Sequence, residues 1–269
     1  MKFLGENSML IKLLKNDLKK NMRWLWILFV SAIVVAGVTR SCKELGQNLA
    51  FFKVLGIFFD AIFYSLLVNV LIQPFLRSFL NFTKSMFGDE SYLTHTLPVT
   101  KNQIITSKFL TAIIEMLLGF VSVIISLLIV FASPTFFSTL KLLLSTLIVG
   151  EFSVGGVLVL FVLLVIVEFL MFISIIFFSI VQAYKAKEKR VLKSFLYTAL
   201  MSFCAITVLS ITMLIVLAIN GVELTSATMM LSKTAFMSII ITGIVVYTIA
   251  TILFFFLTKY ELNKGVNVD

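Results

Sequence analysis

The sequence predicts an all-α, polytopic membrane protein with six transmembrane helices and an N-terminal amphipathic interface helix. Three observations predict it. Of 269 residues, 60% are hydrophobic and 13% charged, where a soluble domain carries about 25% charged residues. The charge gathers into patches that leave Trp24–Thr39, Val54–Leu76, Phe109–Leu140, Leu142–Tyr184, Ser194–Ser232 and Thr234–Thr258 free of Lys and Arg. The basic residues also divide unequally between the two sides that six crossings define. Twenty-eight Phe, three Pro and a mean hydropathy of +1.12 mean that lipid must cover apolar surface that no water-soluble core can hide.

An α-helix rises 1.5 Å per residue, so about 20 residues cross a hydrocarbon core of roughly 30 Å. The expected spans are residues 24–39, 54–76, 109–132, 157–181, 194–219 and 234–258 of a single transmembrane domain covering residues 1–269. The first is short, with Arg23 and Arg40 placed to snorkel to its two interfaces. Gly150, Glu151, Gly155 and Gly156 interrupt the long fourth stretch, which divides into a short outer helix near Ser138–Val149 and a span. The fifth stretch divides into a span and a polar-interrupted segment, Asn220–Ser232. Before the first span, Leu10, Leu13, Leu14 and Leu18 recur at helical steps, while Lys12, Lys15, Lys19 and Arg23 fall mostly on the other side. Ser8 is a candidate N-cap. Residues 8–23 therefore read as a basic amphipathic helix lying along the membrane surface and feeding the first span through an elbow. No small-residue cleavage site follows the first apolar stretch, so no cleaved signal is expected.

Six crossings put both termini on one side. Of the 22 basic residues, 17 fall on that side: Lys2, Lys12, Lys15, Lys19, Lys20 and Arg23; Arg77, Lys84, Lys101 and Lys108; Lys185, Lys187, Lys189, Arg190 and Lys193; Lys259 and Lys264. Arg40, Lys43, Lys53, Lys141 and Lys233 fall on the other. Cytoplasmic loops carry the basic excess, so the expectation is a multi-pass protein of the cytoplasmic membrane with both termini inside. The net charge of +9 then reflects orientation in a membrane and implies no nucleic-acid partner. Cys42 falls in an outer loop and Cys204 within a span, so no disulfide framework is implied.

The loop after the second span, residues 77–108, holds the most information. Asp89 can cap a short helix carrying Tyr92, Leu93 and Leu97, and Pro98 stops it. Thr100 followed by Gln103 has the form of a capping box that restarts a helix running through Lys108 into the third span. This loop and its surroundings resemble the permease subunits of type-2 ABC transporters, especially those of Gram-positive bacteria. The matching features are LLKNDLKKNMRWLW, the acidic pair Asp89–Glu90 followed by LTHTLPVTKNQIITSK, and the six-span layout. The resemblance implies that the loop is a coupling element seated on a soluble ABC ATPase, through Asp89, Glu90, Tyr92, Leu93, His95, Leu97, Pro98, Lys101 and Lys108. It implies that the N-terminal helix is the interface helix beside it, and that two permease subunits work with two ATPase subunits. Family members often have a segment between spans five and six that dips back into the outer leaflet; Asn220–Ser232 matches that segment poorly in length.

None of the 12 Gly residues lies in a GxxxxGK[ST] arrangement, so the chain lacks the phosphate cradle that grips a nucleotide. ATP and Mg are expected on the partner ATPase, with no cofactor, metal or catalytic residue in this chain. His95 is the one His, too few for His-rich metal sites, and reads as a surface residue touching a partner. Asp60, Glu115 and Glu168 fall within spans, where an ionised acid costs about 2.5–3.5 kcal/mol at a helix centre. No Lys or Arg shares a span with them, so they are candidates for a pathway lining, a proton relay or helix packing. Ala32–Ala36 and Ser194–Thr198–Ser202 are small-residue steps that allow close helix approach.

The resemblance, with the Phe-rich spans, implies the permease subunit of an ATP-driven exporter of an amphipathic or antimicrobial peptide, or of a lipid-like molecule, as the expected function. The alternatives are an ion- or proton-coupled transporter using the three carboxylates and a membrane immunity protein that binds a peptide without moving it. The halves show no obvious inverted sequence repeat, which counts against the first alternative.

Overall fold

In a computed structural model the described residues are 2–88, 99–147, 154–186, 188–221 and 233–264. They form seven helices: α1 Lys2–Leu45, α2 Ala50–Phe87, α3 Lys101–Phe131, α4 Pro134–Leu147, α5 Val154–Ala183, α6 Arg190–Ile219 and α7 Lys233–Asn263. All but α4 are long and apolar enough to cross a membrane. The chain is an all-α polytopic membrane protein. Each expected span falls on one of the six long helices, the third ending one residue past its helix at Ala132, and α4 overlaps the short helix expected between spans three and four.

Two helices run further than expected. α1 is one unbroken helix of 44 residues. No Pro interrupts it, and Gly5 and Gly37 are its only Gly residues, so nothing between residues 8 and 36 breaks the hydrogen-bond ladder. The expected elbow between an interface helix and the first span is therefore absent, and Ser8 lies within the helix rather than capping it. The amphipathic pattern is present all the same: Leu10, Leu13, Leu14 and Leu18 are half-buried, while Lys12, Lys15, Lys19 and Arg23 are exposed. α2 likewise continues past Leu76 to Phe87, so the first eleven positions assigned to the loop, residues 77–87, are helical. Hydropathy marks where lipid contact ends, not where a helix ends.

The helix ends follow capping chemistry. At α3, Thr100 Oγ1 accepts from the Gln103 N–H at 3.3 Å and the Gln103 side chain accepts from the Thr100 N–H at 2.9 Å, which is the expected capping box. Ser133 caps α4 by accepting from the Phe136 N–H at 3.0 Å, with Pro134 at the first position, where its missing N–H costs nothing. Gly221 follows α6 at φ +68°, a left-handed conformation that favours glycine. Arg40 donates to the Ile129 carbonyl at 3.0 Å, satisfying one of the last carbonyls of α3.

The chain divides into two compact units, Met1–Phe137 and Ser138–Asp269. In the first, contacts between α1 and α3 keep a nearly constant sequence offset: Asp17 with Ser107 and Lys108, Phe29 with Ser122, Arg40 with Ile129. A constant offset means parallel helices. α2 returns antiparallel to α1, since Asn21 meets Asn81 near one end and Thr39 meets the Phe59 carbonyl near the other. In the second unit Lys185 pairs with Glu261 and Phe178 packs on Phe254, again a constant offset, so α5 and α7 run parallel. The two units are thus wired alike, with the first and third long helices side by side.

Small and polar residues line the α1–α3 contact. α1 buries Asn21, Leu25, Phe29, Ala32, Ala36, Thr39 and Cys42, a stripe at three- and four-residue steps that includes the expected Ala32–Ala36 pair. α3 buries Ser107, Thr111, Glu115, Gly119, Ser122 and Ser126 beside Ile104, Ile105, Ala112 and Met116. Lipid is as apolar as Leu, so packing and interhelical hydrogen bonds, not hydrophobicity, hold such helices together. Ser122 Oγ supplies one bond, donating to the Phe29 carbonyl at 3.1 Å. Pro74 inside α2 has no N–H for the carbonyl four residues earlier, that of Val70. Gly119 approaches this same carbonyl: a Cβ at position 119 would lie 3.4 Å from Val70 O and 3.7 Å from the Phe29 ring.

An alanine fits that space, and it also raises helix propensity. Gly119→Ala is therefore expected to leave stability unchanged or slightly raised. Gly119→Leu is expected to push α2 and α3 apart at a cost of about 1–3 kcal/mol. Thermal unfolding of both variants in detergent checks the pair, and a Leu variant as stable as the Ala variant contradicts the close approach.

Candidate functional site

A group of polar side chains lies where the early part of α1, the late part of α2 and the early part of α3 meet. Helical periodicity puts it there. Asp17 and Asn21 are one turn apart on the inward stripe of α1, continuing the row that Leu10 and Leu14 begin. Ser107, Thr111 and Glu115 are spaced by four on α3. Arg77 and Asn81 are spaced by four on α2.

Lys108 Nζ lies 2.7 Å from Asp17 Oδ1, and the two side chains are 14% and 15% exposed. Ser107 Oγ donates to the other Asp17 oxygen at 3.3 Å. Asp17 thus has a charged and a neutral partner, both on α3. Asn81 Nδ2 donates to Asn21 Oδ1 at 2.6 Å, which ties α2 to α1 one turn deeper. Little water reaches these groups, so each bond holds two helices together more firmly than an exposed pair does.

Glu115 lies deeper still, about 10 Å along α3 from Lys108 at 1.5 Å per residue. It is fully buried, and neither carboxyl oxygen has a hydrogen-bond partner among the described residues. Asn21 faces it without reaching hydrogen-bond geometry, and the charges that act on it belong to Arg77, Asp17 and Lys108. A buried polar group left unpaired costs about 1–3 kcal/mol, and such groups in membrane segments mark functional positions.

The three carboxylates expected inside the spans do not converge. Asp60 lies at the opposite end of the first unit, where Lys43 Nζ approaches its Oδ1 to 2.8 Å. A basic partner within the spans was not expected for it. Lys43 reaches it because α1 runs on past the expected span end at Thr39, and Lys43 also lies over the Phe131 ring at 5.4 Å. Glu168 belongs to the second unit, half-buried on α5 and near Tyr247 of α7.

Of the residues expected at the coupling loop, Asp89, Glu90, Tyr92, Leu93, His95, Leu97 and Pro98 lie outside the described residues. The segment Asn220–Ser232 lies mostly outside them too. Lys101 opens α3. Lys108, expected at a partner contact, is tied to Asp17 of its own chain. Sequence reading missed Asp17, Asn21, Arg77, Asn81 and Ser107. The available signal was the pair Asp17–Asn21 at a four-residue step on the leucine side of a lysine-rich helix, where polar residues need partners. The chain matches no protein-family model, no curated protein and no solved structure.

Removing one partner of a largely buried ion pair leaves the other uncompensated. Lys108→Met or Asp17→Asn alone is expected to cost roughly 2–3 kcal/mol, near the lower end for buried pairs, and the double variant less than the sum. Glu115→Leu removes two unpaired buried oxygens and is expected to raise stability by about 1–3 kcal/mol. Unfolding in detergent reads both effects; additive singles, or a destabilised Glu115→Leu, contradict the geometry.

Proposed function

We propose that this chain is the transmembrane permease subunit of an ATP-driven exporter of the type-2 ABC kind. It works in the cytoplasmic membrane with both termini inside, moving an amphipathic or antimicrobial peptide or a lipid-like molecule. A separate ABC ATPase supplies ATP and Mg chemistry, and a second permease subunit completes the pathway, surrounded by membrane lipid.

One observation carries this reading: the motif-bearing loop ends on a hydrogen-bonded capping box from which α3 starts at once. A force on residues 89–98 therefore enters α3 at its first turn. The Asp17–Lys108 ion pair passes it sideways to α1 two turns later. The basic majority, 17 of the 22 Lys and Arg residues in their assigned segments, supports a cytoplasmic position for that loop. The mechanism is mechanical. ATP closes the ATPase pair, the loop moves with it, and the α1–α3 pair rocks to open the pathway.

Glu115 favours a second reading, a proton-coupled transporter, because a buried unpaired acid suits a relay. The two units, each with three long helices wired alike, also fit secondary transporters, which are often built from internal repeats.

The exporter reading expects the chain to co-purify from membranes with a soluble ABC ATPase. Substituting Asp89, Glu90, Leu97 or Pro98 by Ala should lower ATP-driven transport by about ten-fold, within the usual range of coupling free energies, while ATP hydrolysis persists. Variants that transport and bind the ATPase normally overturn the assignment. Flux in proteoliposomes driven by a proton gradient without ATP, and lost in Glu115→Gln, establishes the second reading instead.

A further inference from the structure

A cleft of about 270 Å³ opens between α1 and α2, lined by Trp24, Leu25, Ile27, Leu28, Ser31, Gln73 and Arg77. Its walls differ in kind. Ile27 and Trp24 are largely exposed apolar side chains on α1, whereas Gln73 and Arg77 on α2 bring an amide and a guanidinium. Arg77 Nε is buried without a hydrogen-bond partner, and Arg77 makes no ion pair among the described residues. Glu115 feels its charge but is not bonded to it. Arg77 therefore keeps at least one hydrogen-bond donor unused among the described residues.

The level of the cleft limits which ligand that donor can meet. No Lys or Arg separates Lys53 from Arg77 in α2, and the distance between them along the helix is about 36 Å. That matches a hydrocarbon core of roughly 30 Å with a basic residue reaching each headgroup layer. Trp24 faces the same cleft, and tryptophan favours this depth. A guanidinium at headgroup depth, with an amide one helical turn deeper beside an apolar wall, suits a phosphate carrying acyl chains.

We propose that this cleft binds an anionic phospholipid. Its phosphate accepts hydrogen bonds from Arg77 and Gln73, and an acyl chain lies along Ile27 and Leu28. Basic pockets between transmembrane helices recognise lipid headgroups through this chemistry. The inference requires α2 to cross a bilayer and does not depend on which transport reading holds.

The chain has two Trp residues, so Trp26→Phe leaves Trp24 as a reporter beside Arg77. The purified Trp26→Phe protein is reconstituted into phosphatidylcholine vesicles containing a minor fraction of brominated phosphatidylglycerol or brominated phosphatidylcholine. The anionic lipid is expected to quench Trp24 about five-fold more effectively, the factor that about 1 kcal/mol per basic residue near a membrane surface corresponds to. Arg77→Gln is expected to abolish the preference, Arg77→Lys to keep part of it, and Arg23→Gln on the exposed face to keep most of it. Ser31→Phe, which fills the cleft and leaves Arg77 in place, is expected to remove the preference and serves if Arg77→Gln does not fold. Equal quenching by both lipids, or a preference that survives Ser31→Phe, overturns the proposal. So does a preference lost with Arg23→Gln, which would mark general surface attraction, or one lost in millimolar inorganic phosphate, which would mark a free-anion site.

Discussion

In hydrocarbon an unpaired backbone N–H or C=O costs several kcal/mol, because no water is present to replace the lost partner. Six long helices meet that cost internally, and the same constraint governs the side chains. With lipid on most sides, a polar group either faces another helix or runs to an interface. The exposed surface of α6 carries Phe195, Leu200, Phe203, Ile206 and Ile211, with only Ser194 buried on that helix. The buried faces of α1 and α3 add serines, threonines, glycine, alanines and a carboxylate to apolar residues such as Leu25, Phe29 and Met116. The apolar residues there gain little from hydrophobicity over lipid, so association rests on close packing and hydrogen bonds.

That arrangement has a mechanical result in the first unit. Polar contacts between α1 and α3 lie at three heights: Asp17 to Lys108, Ser122 to Phe29, and Arg40 to Ile129. Parallel helices tied at several heights resist sliding, so a displacement applied at the start of α3 is shared with α1. Pro74 and Gly119 bring α2 against α3 at mid-height, where a missing N–H and a missing Cβ leave room for a backbone carbonyl. Glu115 sits between these ties, its carboxyl oxygens without a hydrogen-bond partner among the described residues.

The sequence made the spans legible because lipid contact is a local property, written residue by residue as hydropathy. The capping box at Thr100 and Gln103 was legible for the same reason: its partners are three residues apart. The small step Ala32–Ala36 marked a buried face. Helix continuity was less visible, since nothing in a charged stretch says whether an amphipathic segment bends away or continues upward; α1 continues, and its charged residues occupy the exposed side of the same helix. Long-range partners were not legible. Asp60 looked unpartnered because Lys43 lies beyond the expected span end, and the tie between Lys108 and Asp17 was hidden because the two stand some 90 residues apart in sequence. Of the candidate site, the carboxylate Glu115 was found and the tie that surrounds it was not.

The most direct test of the central claim, that the Asp17–Lys108 pair makes α1 and α3 move as one, is a distance measurement. Spin labels at Lys12→Cys and Asn102→Cys, in a background with Cys42 and Cys204 replaced, sit on exposed positions at matching heights of the two helices. In lipid the distance distribution is expected to be narrow, and to broaden when Lys108→Met is added. A distribution already broad with the pair intact, or one that Lys108→Met leaves unchanged, contradicts the coupling of the two helices.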